Sequence, residues 1–200
     1  MSDAKIRTFK KPSAISFKQM CKLILSLLVV TVVAALILSL VNTLTVGTIA
    51  ARKEEARIQA MANILPQAEH FSDLYNTDPT IDRITGGYVG INLVGYCVEV
   101  APNGFGGAIT LMVGVNSSGS VTGVSILEHR ETAGLGAKAE DPYFLDQYLG
   151  KSGTIEVNTG ENSIDAITNA TITSKAITDG VNRALQTVLN YNTEGGETDV

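Results

Sequence analysis

The chain has 200 residues, 15 Lys or Arg against 20 Asp or Glu, a net charge of −5 and 44% hydrophobic residues; that length holds one membrane segment and one ordinary domain. Residues 1–22 carry +5, so the remainder carries −10, and this acidic part has no basic stripe, which argues against a nucleic-acid partner. Two cysteines are too few for a four-thiolate iron–sulfur cluster, and His70 and His129 are too far apart in sequence to suggest zinc.

Lys5, Arg7, Lys10, Lys11, Lys18 and Lys22 against Asp3 make residues 1–22 a basic N-terminus. An uncharged stretch follows at 23–51, and its apolar heart, 23–41, nearly matches the roughly 20 residues needed to cross a bilayer. A transmembrane helix is therefore expected over 23–45. A cleaved signal peptide is the rival reading, with Thr48-Ile49-Ala50 mimicking a cleavage site, but its apolar core would exceed the usual length of about 7–15 residues. The positive-inside rule places the N-terminus in the cytoplasm and the rest of the chain outside a cell (inner) membrane crossed once. Cys21 and Cys97 would then lie on opposite sides and could not pair within one chain.

Residues 46–66 read as a membrane-proximal helix that can continue the anchor. Ile58, Met61, Ala62 and Leu65 share one face, Arg52, Lys53, Glu54, Glu55 and Arg57 form a charged surround, and Pro66 ends it. Residues 69–85 are polar and turn-rich, with room for a strand or two. Alternation over 86–128 predicts a β-meander: Val94, Tyr96, Val98 and Val100, then a turn at Asn103-Gly104; Ile109, Leu111, Val113 and Val115, then a turn at Asn116-Ser117-Ser118-Gly119; then Val121, Val124 and Ile126. Tyr96 and Phe105 are expected in the core rather than stacked on a bound ligand. A short helix over 141–149 carrying Phe144, Leu145 and Tyr148, and a strand over 154–157, complete the middle of the chain. The fold class is α+β: one transmembrane helix, then a domain at 67–191 with an antiparallel sheet and packed helices. Residues 192–200 are acidic and polar and are expected to be a disordered tail.

Two segments carry chemistry. The first is His129-Arg130-Glu131-Thr132-Ala133-Gly134-Leu135-Gly136. Gly134 and Gly136 permit close backbone approach, Glu131 and Thr132 offer polar contacts, and Leu135 an apolar one. His129 reads equally as a ligand contact or as a structural residue at a strand end, and Lys138 as an anion partner or an exposed lysine. The second is Asp165-Ala166-Ile167-Thr168-Asn169-Ala170-Thr171, followed by Ile172-Thr173-Ser174-Lys175. Thr173 and Ser174 can cap a helix in which Ala176, Ile177, Val181, Ala184, Leu185 and Val188 recur at helical spacing. Any anion held at the start of that helix would meet its positive end. Asn169-Ala170-Thr171 and Asn116-Ser117-Ser118 are also N-glycosylation sequons, a pattern short enough to arise by chance.

The second segment resembles the D-x-x-[S/T]-G-A-T signature at which a flavin transferase esterifies FMN, through its phosphate, to the last threonine. Asn169 stands where glycine is usual, and asparagine is the next most tolerant residue of unusual backbone angles. The first segment resembles the H-x-E-T-P-G-L-G loop of the G subunit of the Rnf electron-transport complex, with Ala133 for proline. Gly95-Tyr96-Cys97-Val98-Glu99-Val100 and the run from Gly106 to Val115 follow the same pattern, and the likeness extends from the anchor to about residue 190. The C subunit of the sodium-pumping quinone reductase is related.

The resemblance implies FMN held covalently at Thr171, with Asp165, Thr168, Asn169 and Ala170 as the segment a flavin transferase recognises, although turn and cap chemistry accounts for Asp165 and Thr168 almost as well. It implies Thr173, Ser174, His129, Glu131, Thr132, Gly134, Leu135, Gly136 and Lys138 as the protein side of the flavin site. The implied role is a one-cofactor electron relay without turnover of its own, in an ion-translocating ferredoxin:NAD oxidoreductase. Its partners would be the other membrane and peripheral subunits. An FMN-binding module of another extracytoplasmic electron-transfer or redox-sensing system, and a glycosylated surface domain without flavin, are the alternatives.

Overall fold

The computed structural model describes residues 17–76 and 78–193, so most of the basic N-terminus at 1–22 and most of the tail expected at 192–200 lie outside the described residues. The chain divides into two units, residues 1–51 and 52–200.

The described part of the first unit is helical throughout. Helix α1, Phe17–Ile64, begins there and continues into the second unit, so the segments expected at 23–45 and 46–66 belong to one helix. Its most apolar 18-residue window has a mean hydropathy of 3.0 and is wholly exposed, a length and composition suited to crossing a bilayer. Thr31, Thr43 and Thr45 each return a hydroxyl proton to a carbonyl about one turn back. These three hydroxyls are thus satisfied within the helix, where hydrocarbon could offer them no acceptor.

The second unit is built on a five-stranded antiparallel meander: β1 His70–Leu74, β2 Arg83–Val89, β3 Asn92–Val100, β4 Thr110–Asn116 and β5 Val121–Glu128, in that spatial order. The meander expected over 86–128 therefore starts earlier, at His70. Between β4 and β5 the Asn116 Oδ1 accepts from the Ser118 and Ser120 amides and the Ser118 hydroxyl, with Gly119 at φ +81° closing the turn. The two-residue period of the strands sends Tyr96, Val98, Val100, Leu111, Val113 and Val115 to one face. Cys97 and Met112 go to the other.

Helix α3, Thr171–Thr193, covers the first face with Ala176, Ile177, Val181, Ala184, Leu185 and Val188, all buried. Each large apolar side chain so placed contributes about 1.5–3 kcal/mol. Asn192 and Thr193, assigned to the tail by composition, are helical, and the Tyr96 hydroxyl donates to Asn192 Oδ1. Helix α2, Pro142–Leu145, with the 3-10 turn Asp146–Tyr148 behind it, brings Phe144 and Tyr148 into the same core, edge to face at 5.7 Å. The strand expected at 154–157 shrinks to β6, Glu156–Val157, paired in parallel with β7, Ser163–Ile164. Positive φ at Gly153, Asn158 and Gly160 interrupts extended structure on both sides.

The end of α1 covers the second face with Ala60, Met61, Ile64 and the adjoining Leu65. This corrects the expected helix face: Ile58 and Ala62 are exposed, whereas Arg57, assigned to the charged surround, is buried. Arg57 can face inward because its guanidinium donates to the Thr85 hydroxyl at 2.8 Å and pairs with Glu99 at 3.2 Å and Asp73 at 3.3 Å. The helix approaches over a floor of glycines, with Gly87 opposite Gly95 and Gly114 opposite Gly123. A Cβ on Gly95 would stand 2.6 Å from the Val115 carbonyl oxygen and 3.0 Å from Leu65, and one on Gly123 3.0 Å from Ile64. Beneath the helix, burial pushes the Cys97 thiol up to about 12 despite the opposing charge of Arg57, which leaves it un-ionised and inert.

Two outcomes follow for the detergent-solubilised chain. Gly95→Ala loses about 1–3 kcal/mol in urea denaturation followed by circular dichroism, because both the strand backbone and Leu65 must yield. The Asp73 carboxyl lies below its ordinary 3.8: burial alone would raise it, but the Thr85 hydroxyl and the charges of Arg57 and Arg83 outweigh that. A carboxyl so depressed stabilises the fold above its unfolded pKa and stops doing so as pH falls through the lower folded value. The drop in Tm on acidification below about pH 4 is therefore smaller in Asp73→Asn than in the wild type.

Candidate functional site

The start of α3 is fixed by hydrogen bonds from within the helix. Ala170 occupies the N-cap position and has no side-chain acceptor, so Ser174 reaches back: its Oγ accepts from the Ile167 amide at 2.9 Å and donates to the Ala170 carbonyl at 3.0 Å. Ser174 and Thr173 thus lie inside the first turn and are not its caps, since the helix begins at Thr171, three residues earlier than capping by Thr173 would require and four earlier than capping by Ser174. Asn169 has φ +65°, the left-handed region, which explains why glycine or asparagine suits this position. Beyond that bend the chain turns straight into the helix. Thr171 and Ile172 face solvent while Thr173 and Ser174 are buried. The first amides of α3 have no acceptor within the helix and point out of its N-terminal end, which Thr171 opens.

The 129–136 segment is held by its own polar groups. His129 Nδ1 accepts the Glu131 amide at 3.0 Å, and Nε2 lies 3.0 Å from Glu140 Oε1, so this histidine ties the loop base to the 3-10 turn Gly136–Glu140. The Thr132 carbonyl accepts from the amides of Leu135 and Ala137, each at 3.2 Å, and the chain bends just before Leu135 at Gly134, φ +79°. Glu131 accepts from the Thr173 hydroxyl at 2.7 Å and the Gly106 amide at 2.9 Å. A Cβ on Gly136 would collide with that carboxylate, so glycine is required there.

These contacts bring the two segments together around an open cleft of about 370 Å³. Glu131, Thr132, Leu135 and Gly136 line one side, and Asn169, Ala170, Thr171 and Thr173 the other. Its apolar surface comes from Leu135, Ile172 and Phe105. Phe105 corrects an expectation: assigned to the core, it is 70% exposed and stands in the cleft wall, because Gly104, Gly106 and Gly107 form a turn that leaves the core. Ile172 is a site residue that the sequence reading misses, although it falls off the stripe that α3 buries, which is the available signal. Volume and lining suit a small molecule with an aromatic or apolar body and few polar groups.

Not every anticipated residue joins this cleft. Lys138, Asp165 and Thr168 line a second one of about 330 Å³ together with Asp141, Tyr143 and Gln147. There the Gln147 side chain clasps the Asp165 backbone, accepting its amide at 2.7 Å. His129, Gly134 and Ser174 shape the segments from behind and are absent from both linings.

Residues 104–186 match the FMN-binding domain family. The G subunit of the Na(+)-translocating ferredoxin:NAD(+) oxidoreductase complex of Acetobacterium woodii is 35% identical, the match covering 92% of this chain and 98% of that one. The G subunit of the ion-translocating oxidoreductase complex of Methanosarcina acetivorans is 34% identical over 86% of this chain and 95% of its own. Among solved structures, the C subunit of the Na(+)-translocating NADH-quinone reductase of Parabacteroides distasonis aligns with a TM-score of 0.46 at 21% identity, over 55% of this chain and 60% of that one. With relatives so similar from end to end, this chain belongs to the family of G subunits of ion-translocating oxidoreductase complexes, and the cleft between its Glu131 loop and the start of α3 lies within the FMN-binding domain.

Proposed function

We propose that this chain is the membrane-anchored electron-transfer subunit of an Rnf-type ion-translocating ferredoxin:NAD oxidoreductase, and that it carries FMN esterified through the phosphate to Thr171. One observation carries the attachment: an exposed threonine is the first residue of a 23-residue helix and lies on the wall of an apolar-sided cleft. The cleft residues fit the group. Leu135, Ile172 and Phe105 offer surface to a planar ring and keep water from part of it, while the free amides of the α3 first turn favour the phosphodiester charge. Bound FMN supplies reversible uptake of one or two electrons. The protein contributes retention, since a tether keeps the cofactor at high effective concentration where it would otherwise diffuse away.

Asp165 and Thr168, exposed beside the attachment residue, are suited to recognition by a flavin transferase. Lys138 shares their cleft and not that of Thr171, which weakens its assignment as the phosphate's counter-charge. The apolar part of α1 anchors the chain, and the basic charge of residues 1–22 favours a cytoplasmic N-terminus with the FMN domain on the other side of the membrane. Electrons would pass to and from neighbouring membrane and peripheral subunits, with no turnover by this chain alone.

Coproduction of the full chain with a flavin transferase, followed by mass measurement of the peptide containing Thr171, tests the attachment. The wild-type peptide gains one FMN residue and Thr171→Ala gains none; a bare wild-type peptide overturns the reading. The same assay grades the bend before the helix. Asn169→Gly keeps full flavin loading, whereas Asn169→Val, forced into the left-handed region at a cost of about 1–2 kcal/mol, lowers it.

A further inference from the structure

Glu131 lines the cleft, yet the protein itself uses both of its carboxylate oxygens. Oε1 accepts the Gly106 amide and Oε2 the Thr173 hydroxyl. These two bonds join three separate segments: the turn carrying Phe105, the 129–136 loop, and the first turn of α3 two residues beyond Thr171. The surroundings are shaped to this carboxylate. A Cβ on Gly104 would collide with Oε1 and one on Gly136 with Oε2, while a Cβ on Gly106 would strike the Arg130 carbonyl oxygen.

The Phe105 turn needs such a tie. Gly104, Gly106 and Gly107 surround the phenylalanine, Gly107 sits at φ +135°, and glycine-rich backbone has little preference of its own for one conformation. The base of the turn is closed by the Ile109 amide donating to the Pro102 carbonyl at 2.9 Å, and its tip, besides the Glu131 bond, by the Gly104 amide donating to the Gly107 carbonyl at 2.8 Å. Those two backbone bonds shape the turn locally but do not aim it at the cleft. The Glu131 carboxylate does so, and the same carboxylate also grips the helix start beside the attachment residue.

We propose that Glu131 is a positioning residue, a latch that holds the Phe105 turn against the cleft so that Phe105 shields the flavin tethered at Thr171 from solvent. The shielding rests on the FMN reading given above; the latch does not. Glu131 acts through Phe105 and Thr173 and leaves the flavin chemistry to the cofactor.

The test uses the full chain in detergent, coproduced with a flavin transferase, with two readouts. Hydrogen exchange followed by mass spectrometry over residues 104–108 reports the latch without reference to flavin. Iodide quenching of the flavin fluorescence reports the shield. Glu131→Ala speeds exchange in that segment and raises the quenching constant several-fold, and Glu131→Gln, which keeps an oxygen acceptor for the Gly106 amide, restores most of both. Thr173→Val removes one arm only and falls between them. Phe105→Ala, at an exposed position that leaves folding intact, raises quenching as much as Glu131→Ala does, and the double variant goes no further than either single one. Unchanged exchange in both Glu131→Ala and Thr173→Val overturns the latch. Flavin-loaded Phe105→Ala with wild-type quenching overturns the shield alone, and a bare Thr171 in the wild type overturns the FMN reading together with the shield.

Discussion

The hydrogen bond from the Thr173 hydroxyl to Glu131 Oε2, 2.7 Å long, joins residues 42 apart in sequence, and the candidate site is arranged around it. Thr173 is 1% exposed, so the bond is sheltered from competing water on the donor side. A hydrogen bond to a charged group contributes about 1.5–3 kcal/mol, and losing the Glu131 carboxylate would leave the buried Thr173 hydroxyl unsatisfied. Helical periodicity sets what lies nearby. With Thr173 and Ser174 turned inward, Thr171 and Ile172 must face outward, into the cleft that the Glu131 loop completes.

That helix can hold its place because the sheet beneath it is covered on both faces. One face meets α3 through β-branched and aliphatic side chains from β3 and β4. The other face is pared down to glycine in four strands, which lets Ile64 and Leu65 approach the backbone itself. The two coverings differ in kind: side chains interlock on the α3 face, and a helix end sits almost on bare backbone on the other. Arg57 adds a polar clasp at that second contact, joining helix α1 to β1, β2 and β3 through Asp73, Thr85 and Glu99. Membrane-suited helix and domain thus share one continuous secondary-structure element, and the domain's core depends on the last two turns of it.

Much of this is legible in the residues themselves. Alternation marks β3, β4 and β5, six apolar positions mark the buried stripe of α3, and two motif segments mark both sides of the cleft. Arg57 escapes such reading because periodicity treats every arginine as a solvent-facing residue, and nothing local announces three acceptors waiting on distant strands. Phe105 escapes it for the converse reason. A phenylalanine is ordinarily core, and only the geometry of its glycine turn sends it outward. Capping by Thr173 and Ser174 is a sound local expectation that other bonds override, since Glu131 and Ile167 claim their hydroxyls.

By itself the amino-acid order determined what short-range physics governs: an apolar run long enough to cross a bilayer, strands of period two, a helix of period 3.6, and an asparagine tolerant of unusual backbone angles with a threonine just after it. Those features depend on neighbours a few residues away. The tertiary structure alone decided which segments meet. It separated Lys138, Asp165 and Thr168 from the cleft of Thr171, turned Arg57 inward, and set Phe105 in the same cleft wall as Ile172. Each of these rests on hydrogen bonds and packing between residues tens of positions apart, whose partners become definite only once the sheet has brought them within reach.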